Sequence, residues 1–183
     1  LRCFEDSDVT HVEGSVDPVR DAETVETELM LADLDSVDKR VTAAQKKAKT
    51  GDKEAKELLL VLEPVLEALQ AGRPARAARI DASLKPLLAR QQLLSAKPVL
   101  YACNVEEASA ATGNAFSKRV EEMAAGQGAA TVVISAAIEA EVAQLNGDED
   151  KREFLEALGL SETGLTRVIR TGYELLHLVT FFT

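Results

Sequence analysis

The chain has 183 residues, of which 46% are hydrophobic and 28% charged, and its net charge is −10. That composition fits one ordinary globular domain, or one domain with an insertion, and it excludes an intrinsically disordered chain. No apolar run approaches the ~20 residues of a membrane span, and the acidic balance excludes indiscriminate binding to nucleic acid.

Residues 1–4 read as the end of a strand, and residues 5–18 as a polar connecting loop with His11 and Gly14. The start, Leu1-Arg-Cys-Phe-Glu-Asp6, is neither basic nor followed by an apolar stretch, so no secretory signal is read and a cytosolic protein is expected. His11 stands without partners at ligand spacing and reads as a loop residue rather than a catalyst. Cys3 and Cys103 fall in apparent strands and are expected to be small core hydrophobes rather than a disulfide or part of a metal site.

From Asp21 a helical period takes over. Met30, Leu34, Val37, Val41, Ala44 and Ala48 alternate in steps of four and three, the a/d seam of a coiled coil. Thr50-Gly51-Asp52 breaks the pattern. Ala55, Leu59, Leu62, Leu66 and Leu69 resume it, which predicts an antiparallel helical hairpin with its seams facing each other. Pro64 removes one hydrogen bond from the second arm and is expected to bend it, and Gly72-Arg73-Pro74 ends it. Residues 39–56 hold seven basic groups (Lys39, Arg40, Lys46, Lys47, Lys49, Lys53, Lys56) against Asp52 and Glu54, a net +5, so the rest of the chain carries −15. A basic tip on an acidic body would meet a polyanion at one defined point; a solvated hairpin with lysines for solubility accounts for the same residues. Residues 76–94 read as one or two short helices with Pro86 early in a helix.

After Pro98, residues 99–103 form a short run rich in β-branched and aromatic side chains, suited to a strand buried on both faces. A helix over about residues 114–125, with Phe116, Val120 and Met123 on one side, leads to a second apolar strand at 130–136. Strand, helix and strand of this length make a βαβ crossover with parallel strands, so the loops after both strands open at one sheet edge. Open α/β sheets place ligand loops there, which makes residues 104–107 the candidate site. Further helices are expected at 138–145, at 151–158 up to Gly159, and at 165–176 with Leu165, Val168, Ile169 and Leu176 on one face. Residues 179–183 read as the start of another strand.

Asn104-Val105-Glu106-Glu107 and Ser135-Ala136-Ala137 resemble, in altered form, the Asn-Lys-x-Asp and Ser-Ala-Lys base-recognition motifs of P-loop GTPases. The first is similar to the Asn-x-x-Glu variant of the YchF subfamily, the Obg-like ATPases. The resemblance continues through Thr10-His-Val-Glu-Gly14, Val16-Asp-Pro18, Arg20-Asp21, Lys46-Lys-Ala-Lys-Thr-Gly-Asp-Lys53, Lys97-Pro-Val-Leu-Tyr101, Val133-Ile-Ser-Ala136 and Gly172-Tyr-Glu-Leu-Leu176. It implies an α/β fold: part of a P-loop NTPase (G-domain) sheet with an inserted antiparallel α-helical coiled-coil hairpin. The strand and loop at 1–20 and the part at 96–183 would belong to the G domain, and 21–95 to the hairpin domain. It also implies a cytoplasmic nucleoside-triphosphate hydrolase that takes ATP in preference to GTP with Mg²⁺ and associates with the ribosome. No Gly-x-x-x-x-Gly-Lys-Ser/Thr occurs in the chain, and that loop supplies the phosphate cradle, the lysine and the Mg²⁺-binding hydroxyl. By the resemblance it lies upstream of Leu1 with the metal site, and a small TGS domain follows Thr183. The chain is therefore expected to be a fragment, inactive as a hydrolase by itself and prone to self-association through exposed apolar sheet surface.

A primary amide can pair bidentately with the N6/N7 edge of adenine, so Asn104 can read a purine at its Hoogsteen edge. In GTP-binding relatives an Asp accepts from guanine N1 and N2; the matching residue here is Glu107, one methylene longer, and Val105 replaces the lysine whose stem covers the base. The resemblance places Asn104 on the base edge, Val105 against the ring or its loop, and Glu107 holding the loop. It has Ser135 and Ala136 closing the other side through backbone groups, while Ala137 lacks the usual lysine stem. Ribosomal association in the family implies an RNA or ribosome contact at Lys46, Lys47, Lys49 and Lys53. The competing reading is a noncatalytic coiled-coil module that binds RNA or protein, in which Asn104 only caps a loop. Nucleotide binding separates the two. No catalytic triad is read, since the chain has two His and no nucleophile is indicated beside His177.

Overall fold

The computed structural model describes residues 1–6 and 15–181; His11, Gly14 and the rest of 7–14 lie outside the described residues. The chain divides into two compact units, Leu1–Ala22 with Pro98–Thr183, and Glu23–Lys97. The division falls within helix α1 (Pro18–Lys49). Seven α-helices and a two-stranded parallel sheet make up the α/β architecture among the described residues.

In the first unit, β1 (Leu100–Asn104) pairs in parallel with β2 (Ala130–Ile134), from Leu100 opposite Ala130 to Asn104 opposite Ile134. Helix α4 (Ala115–Gln127) makes the crossover, as parallel pairing requires. On its other edge β1 meets the N-terminal segment, where Arg2 lies opposite Asn104. The Asn104 N–H donates to the Leu1 carbonyl at 2.9 Å and the Cys3 N–H to the Asn104 carbonyl at 2.8 Å. Burial along β1 alternates, with Tyr101 and Cys103 buried and their neighbours half-buried, so the expectation of a strand buried on both faces is corrected. Alternate side chains leave a strand on opposite faces, and only one face meets the main cluster of Cys3, Tyr101, Cys103, Val105, Val120 and Ala124. Phe116 and Met123 pack against that cluster, which seats the apolar side of α4 on the sheet. Both cysteines are free and fully buried. A hydrogen bond to Cys103, reinforced by burial, pushes the Cys3 thiol up.

The chain continues through α5 (Ala136–Val142), α6 (Asp148–Ala157) and α7 (Gly164–Leu175). Ile138, Val142, Leu155 and Leu160 form a small core with Ala110. The Glu139 carboxylate caps α7, accepting from the N–H of Gly164 at 2.6 Å and of Leu165 at 3.2 Å. These are orphan donors of a helix start, and a carboxylate there is also favoured by the helix dipole. The face of α7 read from the sequence is largely uncovered: Leu165 is 61%, Ile169 51% and Leu176 54% exposed. Residues 179–181 form no strand, correcting that part of the expectation, while Phe182 and Thr183 lie outside the described residues; 179–181 are exposed, and no strand edge among the described residues pairs with them.

In the second unit α1 and α2 (Lys53–Gln70) are joined by a three-residue turn. Gly51 takes a φ of 95°, which L side chains rarely adopt, and Asp52 caps α2 by accepting from the Ala55 N–H at 3.1 Å. Val37, Val41 and Ala44 of α1 are buried, as the spacing anticipates. On α2 the stripe is wider than a two-helix seam: Val61, Val65 and Ala68 are buried, while Leu59 and Leu66 are half-buried. The reason is a second set of neighbours, since Ala75 and Leu93 join Val37, Val41, Leu62, Val65 and Leu69 in one cluster, with Leu88 of α3 (Lys85–Arg90) against it. The helix runs unbroken through Pro64. Within this core Asp33 is 4% exposed. Its carboxylate accepts from the N–H of Leu94 at 2.9 Å, the N–H of Ser95 at 2.7 Å and the Ser95 hydroxyl at 2.6 Å.

Candidate functional site

Parallel pairing in register brings the C-terminal ends of β1 and β2 side by side, so the segments after Asn104 and Ile134 leave the sheet at one edge. The ladder runs one step beyond the strands, with the Val105 N–H donating to the Ile134 carbonyl at 2.9 Å. Asn104 then crosses the gap: its Oδ1 accepts from the Ala136 N–H at 2.8 Å. A backbone N–H can only donate, so this bond orients the amide. Nδ2 remains as a donor and Oδ1 keeps a second lone pair.

An open cleft of about 660 Å³ lies at this edge, lined by Phe4, Glu5 and Asp6 on one side and by residues 104–108 and Ala137 on the other. Its size falls within the range of small-molecule sites. Of the sequence-derived residues, Asn104, Val105 and Glu107 line it. Val105 is 2% exposed and belongs to the core, so it is committed to supporting its own loop and has little surface left to cover a ring. Glu107 is exposed and opens a 3₁₀ turn, Glu107–Ser109. Ser135 is buried at 2%, with its Oγ hydrogen-bonded to nothing among the described residues. Ala136 is exposed and enters through its N–H to Asn104.

Holding the loop, expected of Glu107, is done by its neighbour. The Glu106 carboxylate accepts from the Ser109 hydroxyl through one oxygen and from Asn114 Nδ2 at 2.9 Å through the other. The Ser109 hydrogen bond, helped by Asn114, holds this carboxyl below the usual range of a glutamate. From the sequence Glu106 was read only as part of the 104–107 segment, with no role of its own, and Asn114 and Phe4 were given no site role. The legible signal for Asn114 was an N-cap residue followed three positions later by a hydroxyl: its Oδ1 accepts from the N–H of Phe116 and of Ser117, both at 3.0 Å, and the Ser117 hydroxyl returns the favour to the Asn114 N–H at 2.8 Å.

Over all 183 residues the chain is 46% identical to the ribosome-binding ATPase YchF of Haemophilus influenzae and 44% to that of Escherichia coli O157:H7; over 185 aligned positions it is 42% identical to that of Bacillus subtilis. The chain belongs to the YchF family. It spans about half the length of these YchF relatives, 50% in each case. The solved structure of the Schizosaccharomyces pombe YchF GTPase superposes with a TM-score of 0.80 at 26% identity, covering 96% of this chain and 48% of that one. No family model matches the chain.

The second group of sequence-derived residues in this YchF chain belongs to the other compact unit, at the turn between α1 and α2. Lys46, Lys47 and Lys49 occupy the last turn of α1 and Lys53 opens α2, all exposed. Cations in a last helical turn complement the dipole, which is a sufficient structural reason for the three on α1. Beside them a small cavity of about 270 Å³ is lined by Arg40, Lys47, Asp52, Glu54, Leu58 and nearby alanines.

Proposed function

We propose that the cleft at the end of β1 reads the base of a purine nucleotide in a nucleoside-triphosphate hydrolase, with ATP taken in preference to GTP. The observation that carries this is the Asn104 amide, fixed by the Ala136 N–H so that a donor and a lone pair remain for a ligand. Nδ2 can donate to N7 of either purine. The free lone pair of Oδ1 can accept from the adenine 6-amino group and would repel the 6-oxygen of guanine, which is a reason for discrimination. Glu107 and the backbone of residues 135–136 complete the loop side, and Phe4, one face of its ring covered by Arg2, lines the cleft. The names of the relatives, ribosome-binding ATPase and GTPase, support the activity class. Phosphate binding and Mg²⁺ are assigned to a P-loop contributed by sequence outside this chain, so these 183 residues alone are inactive. Mg²⁺ bound there would neutralise charge on the phosphates.

In the same reading residues 21–95 form an inserted domain whose α1 and α2 pack as a coiled coil. Lys46, Lys47, Lys49 and Lys53 meet ribosomal RNA, and the protein works in the cytoplasm. No helix among the described residues is long and apolar enough to cross a membrane.

The test is a titration of ATP and of GTP, each with Mg²⁺, into a family-length protein that carries this chain, alongside Asn104→Ala and Glu107→Asp. Tighter binding of ATP is expected, weakened by about tenfold or more in Asn104→Ala, as the loss of a bidentate base contact implies. Binding of neither nucleotide would overturn the proposal and leave the hairpin as the seat of function.

A further inference from the structure

Asn114 stands outside both base-recognition segments, yet its side chain bonds both to Glu106 on one wall of the cleft and to Cys3, which precedes the other wall. All four hydrogen-bonding positions of the amide are used. Oδ1 accepts from the N–H of Phe116 and Ser117 at the start of α4. Nδ2 donates to the Cys3 carbonyl at 2.6 Å and to Glu106 Oε2 at 2.9 Å. Cys3 immediately precedes Phe4, Glu5 and Asp6, which form one wall, and Glu106 belongs to the other. The anchor itself is firm, because α4 is seated on the sheet by the fully buried Val120. One bond from the start of this helix to Glu106, and one to Cys3 next to Phe4, add to the two backbone hydrogen bonds between the N-terminal segment and β1 in tying the two sides of the cleft together. Helix capping alone would need only the oxygen.

We propose that Asn114 is a positioning residue for the base cleft, setting the separation of the Phe4 and Glu106 walls through its two N–H donors. The inference rests on the reading of the cleft as a purine site. It concerns geometry rather than contact, since Asn114 bonds to Glu106 and does not itself line the cleft.

The two halves of the amide can be separated by substitution. Asn114→Asp keeps an oxygen to cap α4, aspartate being as good an N-cap as asparagine. It removes both donors and sets a carboxylate against that of Glu106. Glu106→Gln in the same protein restores a donor and acceptor pair with its polarity reversed, while an oxygen is kept for Ser109. In the family-length protein, Asn114→Asp is expected to weaken ATP binding by about tenfold and to narrow the ratio of ATP to GTP affinity. Glu106→Gln added to it is expected to recover part of the affinity. Amide exchange at the start of α4 is expected to stay slow in all three proteins, which shows that the cap survives. If the unsubstituted protein binds ATP and Asn114→Asp binds it with the same affinity and the same preference, the positioning role is overturned and the purine reading stands. A loss that the second substitution does not relieve overturns it as well, since the pair with Glu106 would then be immaterial. If the unsubstituted protein binds neither nucleotide, the purine reading fails and takes this inference with it.

Discussion

Glu106 is an exposed carboxylate held by a hydroxyl and an amide, and its acidity follows from those bonds. A carboxyl whose folded pKa is depressed adds stability above its unfolded pKa and loses it as pH falls through the folded value. Glu106→Gln is therefore expected to be less stable than the unsubstituted chain at about pH 7, with the two urea midpoints converging below about pH 4. The gap is small because solvent screens an exposed group, and a gap that does not change with pH would contradict the assignment. Gly164 makes a steric demand instead. A Cβ there would lie 2.9 Å from Ile134 Cγ2 and 3.0 Å from Glu139 Oε1, the atom that caps α7. Gly164→Ala is expected to cost about 1–3 kcal/mol, in the range of overpacking, and equal denaturation midpoints would refute it. Both residues show what sequence reading misses at this scale. Asn104 could be placed because it ends an apolar run whose length and composition are visible. Glu106 sits beside an identical residue, and nothing in the order of the letters says which of the two turns inward to Ser109 and Asn114.

At the scale of elements, periodicity carried far. The stripe of α1 from Met30 to Ala44, the turn at Gly51, and the strand, helix and strand order from β1 to β2 were all legible because each repeats a spacing that burial enforces. What was not legible is where an element has more than one neighbour. The stripe of α2 widens because the turn at Ala75 and the segment at Leu93 pack on it too, and no local window contains that information. The same segment explains Asp33, a charged residue at a buried position of α1 that holds Leu94 and Ser95 by three hydrogen bonds. Removing one partner from a buried charged network leaves the others unsatisfied. Asp33→Ala is expected to destabilise the chain by about 2–3 kcal/mol, with Asp33→Asn losing less, as measured by chemical denaturation. Equal midpoints for the alanine variant would show that the segment after α3 is held by its apolar contacts alone.

For the whole molecule, charge and exposed apolar surface predict salt effects of opposite sign. The net +5 over residues 39–56, within a chain of net charge −10, makes the lysine cluster the place where a polyanion gains most. Each phosphate neutralised releases counterions, so the RNA binding proposed for these lysines would weaken as salt rises. Replacing Lys46, Lys47 and Lys49 by alanine should flatten the slope of log affinity against log salt by about 2; an unchanged slope would place the contact elsewhere. Self-association through exposed apolar surface would obey the other sign. Leu165, Ile169 and Tyr173 follow one another along α7 at helical spacing, with Leu176 just past its end, and all are exposed, and Leu178, Val179 and Phe181 extend the apolar surface. Two copies that meet on such a face bury area without neutralising charge, while their like net charges oppose the encounter. Added salt screens that repulsion and leaves the apolar gain in place. The 183-residue chain should therefore show a light-scattering mass that grows with protein concentration and grows further with salt, and Leu165→Glu with Ile169→Glu should return it to the monomer. A monomer at every concentration and salt level would show that the charge of the chain outweighs this face.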